Sequence, residues 1–216
     1  MNALESVAGA PSPPEIVELA DACVRFVHRV TNVTLDYTLE TLPVLDHYIR
    51  DAARAAADRD EARDVVILAA GAYFGELVRR RYACWWRLEQ GLPFARIEFA
   101  TMFLAFSPMD MARDAVRHHT VKPPPEPVSA KDIVVSKEDP PEDEDKSRDA
   151  SGFELDEDDQ ERVEARLAEL PAATVDEFYA PSTRLEVLDI VVDAIRSKRL
   201  AEQDPELALE PADYDD

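Results

Sequence analysis

The sequence predicts a mostly helical α+β protein, and two kinds of apolar spacing and one change in composition support this prediction. Apolar residues recur at helical spacing before residue 82 and alternate at every second position between residues 82 and 106. Residues 121–160 instead hold six prolines and 14 acidic residues among 40 positions. We therefore expect a three-helix body with a small antiparallel β-meander and a further helix, then an acidic disordered linker and a helical C-terminal segment.

Prolines and polar caps mark where the first two helices begin. Pro14 is suited to a first helical turn, and an apolar stripe follows it at helical spacing: Ile16, Leu19, Cys23, Phe26, Val27 and Val30. The second helix is expected to begin between Thr38 and Thr41, because Pro43 is tolerated only in a first turn. It should end near Ala57.

The third helix, about Glu61 to Arg81, is apolar on several sides and is therefore predicted to be central. From residue 82 the pattern has period two, which puts Cys84 and Trp86 on one face of a strand and Trp85 and Arg87 on the other. Further strands are expected at 96–99 and 102–106. Ser107 and Pro108 then introduce a helix that runs to His119.

These patterns divide the chain into five segments. We expect a flexible lead-in over residues 1–13, a helical α+β domain over 14–119 and a disordered acidic, proline-rich linker over 120–160. A helical C-terminal segment over 161–203 and a flexible acidic tail over 204–216 follow. The clearest stripe of the C-terminal segment comes after a capping box at Thr183: Leu185, Leu188, Val191, Val192 and Ile195. That helix could pack on the domain or present its stripe to a partner.

The net charge of −22 is concentrated in the second part of the chain. Residues 1–120 hold 17 acidic and 13 basic side chains, a net of −4, whereas residues 121–216 hold 29 acidic and 11 basic ones, a net of −18. Such a field disfavours binding to nucleic acid and to anionic membranes. It favours solubility, basic protein partners or divalent cations, and it does not choose among them.

Several signals point to a bacterial protein of the cytoplasm. Cys23 and Cys84 provide no disulfide framework and no CxxC motif, which favours a reducing compartment. The first residues lack the basic and apolar regions of a signal peptide, and the uncharged run Val65–Gly75 is too short to span a bilayer. Every basic residue before Lys122 is arginine, which fits a GC-rich genome.

The most distinctive segment lies at the end of the third helix. Glycine costs roughly 1 kcal/mol inside a helix relative to alanine, so Gly71 and Gly75 suggest that a backbone or a tryptophan ring packs closely there. Glu76 can pair with Arg79 or Arg80 along the helix. The arginines at 79, 80 and 81 are capping charges or a candidate site for an anion or an acidic partner, including the acidic linker itself.

This segment also carries a resemblance. Leu35-Asp36-Tyr37-Thr38 with Leu42 and Leu45-Asp46, then the run from Gly71 to Arg80 and the tryptophans at 85 and 86, resembles an uncharacterised bacterial domain family. Its members read roughly LDYSxxSLxxLD, then GAYLGEVIRR, a tryptophan-containing strand and a DPF entry to a helix, here Ser107-Pro108-Met109. The match covers about residues 33–119 and departs from the family at 81–83, where glycines are usual. The resemblance implies a domain boundary and no activity.

Other candidate residues have simpler interpretations. Trp85 and Arg87 could form an exposed aromatic and cationic platform for a partner. The favoured interpretation is that a helix covers Trp85. His28, His47 and the pair His118-His119 lack the spacing of a metal motif, so no metal ligands are predicted. No catalytic residue and no cofactor are predicted either.

Three functions remain open from the residues. The first is a non-catalytic protein–protein interaction module, and the second is an inhibitor or immunity-type protein that neutralises a basic partner. The third is an enzyme with a site near Glu76 and Trp85.

Overall fold

The predicted helical stripes become helices in the computed structural model, which describes residues 11–120, 150, 152–205 and 207–215. The first four helices are α1 (Pro14–Thr31), α2 (Leu42–Ala55), α3 (Asp60–Arg81) and α4 (Pro108–Thr120). Prolines lie in the first turns of α1, α2 and α4, where a missing N–H leaves no helical hydrogen bond unmade. At the start of α4, the backbone N–H of Asp110 donates to Ser107 Oγ at 3.2 Å.

Helix α3 lies at the centre of the helical layer, as its apolar composition predicts. Every residue from Ala69 to Val78 is buried, and the helix packs against α1 on one side and α4 on another. Its N-terminal turn is acidic and its last turn is basic, which places both sets of charges favourably in the field of the helix dipole.

A four-stranded antiparallel sheet follows α3, in the order β1 (Cys84–Arg87), β2 (Arg96–Phe99), β3 (Leu104–Phe106) and β4 (Phe153–Leu155). A short 3-10 helix at Leu92–Phe94 connects the first two strands. The predicted mostly helical α+β class and its meander are therefore confirmed, and the sheet gains a fourth strand from far along the chain.

The predicted disorder over residues 120–160 is wrong for the last part of that range. Phe153–Leu155 pairs with β3, and its Phe153 ring packs against Phe106 with ring centroids 5.5 Å apart. Helix α5 (Glu157–Ala168) also begins earlier than the expected residue 161, with Asp156 as its cap. The acidic composition misled the prediction, because it does not show that Phe153 can pair and pack beside β3. Residues 121–149 and 151 lie outside the described residues, so the disorder predicted for them stays a prediction.

The C-terminal segment packs back on the body of the protein. After the single-turn helix α6 (Val175–Phe178), helix α7 (Pro181–Glu202) packs against α2 and α5 and also contacts α4. Its predicted stripe is buried in the main core: Leu185, Leu188, Val191, Val192 and Ile195. The helix begins at Pro181 and not at Thr183, because proline suits the first turn.

Both predicted flexible ends also need correction. Ser12, within the expected lead-in, donates its hydroxyl to Glu76, whereas residues 1–10 lie outside the described part of the chain. In the expected acidic tail, the backbone N–H of Leu209 donates to Ala100 O at 2.8 Å, and Pro211–Tyr214 forms a 3-10 helix. The Tyr214 hydroxyl lies 2.8 Å from Phe99 O. Backbone groups at the ends of β2 and β3 thus hold residues 207–215 in place.

Among the described residues, no helix combines the length and the apolar composition that crossing a lipid bilayer requires.

The packing of α7 predicts a difference between two leucines of the same helix. Leu188 is fully buried, whereas Leu200 is 82% exposed. We expect Leu188→Ala to lower the free energy of unfolding by about 2–5 kcal/mol, because it leaves a cavity in the core. Leu200→Ala should change it by less than about 0.5 kcal/mol. Urea unfolding followed by tryptophan fluorescence measures both, and equal effects would contradict the docking of α7.

Candidate functional site

The three arginines at the end of α3 contact three different groups of the same chain. Arg79 Nε donates to Glu76 Oε1 at 3.1 Å, and the Arg80 guanidinium carbon lies 3.5 Å from the centroid of the Tyr37 ring. Arg81 Nη2 donates to Asp189 Oδ2 on α7 at 2.9 Å. Among the described residues, these contacts of the three arginines are made with three different partners, of which Glu76 and Asp189 are acidic. A contact with the acidic linker would involve residues outside the described ranges.

Glu76 is enclosed in the core by a complete set of donors. Its carboxylate accepts hydrogen bonds from Ser12, from Trp86 Nε1 at 2.8 Å and from Arg79. Burial alone would raise the pKa of Glu76, but the hydrogen bonds from these three residues outweigh burial and lower the pKa below its ordinary value of 4.5. Glu76 is thus a buried, ionised structural group with its acceptors occupied.

A second buried carboxylate lies on the other face of the sheet. Glu98 accepts from Trp85 Nε1 at 3.0 Å and from Arg87 Nη1 at 3.3 Å, across the β1–β2 pairing. Burial raises the pKa of Glu98 and outweighs the contact with Arg87. Arg87 also pairs with Asp215 and with Glu89, and these two carboxylates, Asp215 most strongly, raise the pKa of Arg87. The pair with Asp215 connects the C-terminal segment to β1.

The alternation of β1 separates the two tryptophans. Trp86 belongs to the main core beside Glu76, whereas Trp85 belongs to a small cluster that Tyr214 covers edge-on, with ring centroids 5.9 Å apart. Trp85 is only 6% exposed, so the hypothesis of an exposed platform with Arg87 is wrong. The cover is the C-terminal 3-10 helix and not a long α-helix. Glu76 and Trp85 therefore do not share a site.

The two glycines of α3 mark close approaches. A Cβ atom at Gly75 would lie 2.2 Å from Trp86 Cη2, and one at Gly71 would lie 2.9 Å from Pro108 O and 2.5 Å from Met109 Sδ. The neighbour of Gly71 is thus the start of α4, and the neighbour of Gly75 is a tryptophan ring of β1. Both glycines allow neighbouring elements to approach α3 closely.

A cleft of about 420 Å³ lies where α4, β4 and α7 meet, and no sequence signal pointed to it. Three aromatic side chains form part of its lining: Phe153, Phe178 and Tyr179. Three carboxylates line it as well: Asp110, Asp114 and Glu154. Buried Arg184 lies at its inner side, with the guanidinium carbon 5.0 Å from the Phe153 ring centroid. The cleft combines residues from 107 to 184, which only the fold brings together.

The carboxylates of the cleft differ in their partners. Asp110 pairs with Arg113 on the same helix, and Glu154 pairs with Arg96 across the sheet. Within the described part of the chain, Asp114 has no ion pair, and its side chain is exposed. Asp114 is therefore the carboxylate of the cleft that is most available to a cationic group from outside.

A group of metal-ligand side chains lies beside this cleft, at the end of α4. His118 Nε2 lies 2.6 Å from Asp176 Oδ1, and His119 Nδ1 lies 3.9 Å from the same oxygen. The hydrogen bond from His118 lowers the pKa of Asp176, and burial lowers the pKa of His119 below 6.5. The adjacent histidines did not predict this group because Asp176 is remote in sequence.

Comparisons with family models, curated proteins and solved structures find no match to this chain, so the family resemblance of residues 33–119 stays a prediction.

The two buried carboxylates predict opposite dependences on pH. The pKa of Glu76 is lowered, so its contribution to stability is present above about pH 4.5 and is lost as the pH falls through the folded pKa. The pKa of Glu98 is raised, so its contribution is present below about pH 4.5 and is lost as the pH rises through the folded pKa.

We therefore expect Glu76→Gln to cost about 1–3 kcal/mol at neutral pH and less at about pH 4. Glu98→Gln should show the reverse trend and serves as the matched control. Urea unfolding of both variants and the native chain across this range measures the differences. Parallel pH profiles for the two variants would contradict this account.

The approach of Trp86 predicts that Gly75→Ala destabilises the protein, although alanine is the better helix former. We expect a loss of about 1–3 kcal/mol from overpacking. Combining it with Trp86→Phe, which removes the contacting ring atoms, should recover part of that loss. Thermal and urea unfolding of the single and double variants gives the coupling energy. Strictly additive effects would show that the two side chains do not meet.

Proposed function

We propose that this chain is a non-catalytic protein–protein interaction protein that binds a basic segment of a partner protein. The cleft between α4, β4 and α7 is the observation that carries this proposal, because it combines aromatic rings with three carboxylates: Asp110, Asp114 and Glu154. Aromatic side chains beside acidic groups suit arginine or lysine, whose cations are attracted to both.

The interior of the cleft supports this choice of ligand. The Arg184 guanidinium already lies near the faces of two of its rings, 5.0 Å from the Phe153 centroid and 5.3 Å from the Phe178 centroid. A guanidinium from a partner would pair with the exposed Asp114 carboxylate, which lines the same cleft. Asp110 and Glu154 are already paired with arginines, so Asp114 is the carboxylate of the lining that would compensate the charge of an incoming cation.

The charge of the whole chain supports the same ligand class. A net charge of −22 attracts basic proteins over a distance of about 8–10 Å at physiological salt and raises their association rate. An inhibitor that neutralises a basic protein would use the same attraction. Nucleic acid, which is itself polyanionic, is disfavoured.

The state of three reactive groups supports a non-catalytic role. Burial raises the pKa of the Cys23 and Cys84 thiols to about 12, so both remain protonated and unreactive at neutral pH. Glu76, the candidate catalytic carboxylate, is already fully engaged by groups of its own chain.

A charge-reversal pair tests the proposal with a fluorescent arginine-rich peptide as the probe. Asp114→Lys should weaken binding of the peptide by about 10-fold, because it places a cation in the cleft. Glu18→Lys makes the same change of charge on an exposed position of α1, outside the cleft, and should weaken binding by less than about 3-fold. Fluorescence anisotropy measures both affinities.

Two results would overturn the proposal. One is equal weakening by the two variants, which would indicate attraction without a defined site. The other is the absence of saturable binding by the native chain at physiological salt. Circular dichroism of each variant verifies that the substitutions leave the fold intact.

A further inference from the structure

We infer that His118, His119 and Asp176 form a binding site for one divalent transition-metal ion, with Zn²⁺ as the representative ion. Each residue offers one ligand atom, and these atoms all lie within 4.8 Å of one another. The inference is independent of the proposed cleft for a basic segment, because it involves other residues and a ligand of different chemistry.

The distances from the two histidines to Asp176 bracket the spacing of ligand atoms in a zinc site. In a tetrahedral site with bonds of about 2.0–2.1 Å, ligand atoms lie about 3.3 Å apart. The two distances to Asp176 Oδ1 are 2.6 Å from His118 and 3.9 Å from His119, so they fall on either side of this value. The Asp176 side chain is 55% exposed and can shift to equalise them.

The donor set selects the class of ion. Two imidazole nitrogens and one carboxylate oxygen suit Zn²⁺, Co²⁺ or Ni²⁺, whereas Mg²⁺ and Ca²⁺ favour sites made of oxygen ligands alone. Three protein ligands leave a fourth position of the tetrahedron for water or an external ligand. An ion can reach the site from the side of Asp176 and His118, whose side chains are 55% and 26% exposed, whereas His119 is only 6% exposed and forms the inner ligand.

Both sides of the site are held in place before an ion binds. The His118 ring stacks on Tyr179, with ring centroids 5.2 Å apart and an interplanar angle of 28°. Asp176 lies in the first turn of α6, whose start is fixed by the capping box between Thr174 and Glu177. Packing of the His118 ring and the capping of α6 therefore bring the histidines and the aspartate close together.

The neighbouring charges limit the expected affinity. Arg50 and Arg54 on α2 lie near enough to influence His119 electrostatically, and Arg50 also influences Asp176. These two cations oppose the binding of a divalent ion. We therefore expect a dissociation constant on the order of micromolar and not the much tighter binding of closed four-ligand zinc sites.

A bound ion would connect two parts of the chain. His118 and His119 are in the last turn of α4, whereas Asp176 belongs to α6, beyond residues 121–149. An ion that binds only the folded arrangement stabilises it by mass action. Zn²⁺ should therefore raise the melting temperature of the full chain.

Calorimetric titration of ZnCl₂ into the untagged full chain, after removal of metals with EDTA, tests the inference. We expect one saturable site per chain. His119→Gln and Asp176→Asn should each weaken binding by at least about 10-fold and abolish the rise in melting temperature. Asp176→Asn is the decisive variant, because the substitution keeps the shape of an exposed side chain, and circular dichroism verifies that its fold is intact.

His47→Gln is the matched control. His47 Nε2 lies 3.3 Å from Asp51 Oδ2, an exposed histidine–aspartate pair that lacks a second histidine. The His47→Gln substitution should leave the Zn²⁺ affinity unchanged within about 2-fold. As a second control, MgCl₂ should show no saturable binding to the native chain. The inference is overturned if Zn²⁺ does not saturate one site, or if Asp176→Asn binds Zn²⁺ as tightly as the native chain.

Discussion

The contact between α3 and β1 sets the position of everything that follows it in the chain. Gly75 leaves the space that the Trp86 ring fills, and Glu76 accepts the indole N–H of the same ring. The close fit to Gly75 and the charge-assisted hydrogen bond to Glu76 both hold the Trp86 side chain, and Trp86 in turn positions β1 against α3. With Trp86 held inward, the pleat directs Trp85 outward, where the C-terminal end of the chain covers it.

The placement of the sheet also determines where the second part of the chain docks. Strand β4 pairs with β3 on the side away from β2, and its Phe153 belongs to the main core. Helix α7 then covers the remaining apolar surface of α2 and α4, and Arg81 and Tyr82 bind its Asp189. The acidic cleft and the His118, His119 and Asp176 group both lie along this junction, so the candidate sites depend on the docking of the two parts.

Local patterns predicted the helices, and long-range pairing escaped prediction. The stripes of α1 and α7 repeat over several turns, and the alternation around Trp85 and Trp86 specified two faces of β1. Strand β4 is three residues long in an acidic context, and its partner lies far away in sequence. The cover of Trp85 and the neighbour of His118 were not predictable for the same reason, because each is contributed by a distant segment.

The sheet order has a consequence for synthesis on the ribosome. Strand β3 and the helices that α7 covers emerge long before Phe153–Leu155 is translated. During that interval the nascent polypeptide has an unsatisfied strand edge and an uncovered apolar face, the two features that promote association between incomplete chains. The strongly acidic stretch that emerges next has a net negative charge, which opposes association between neighbouring nascent chains during this interval.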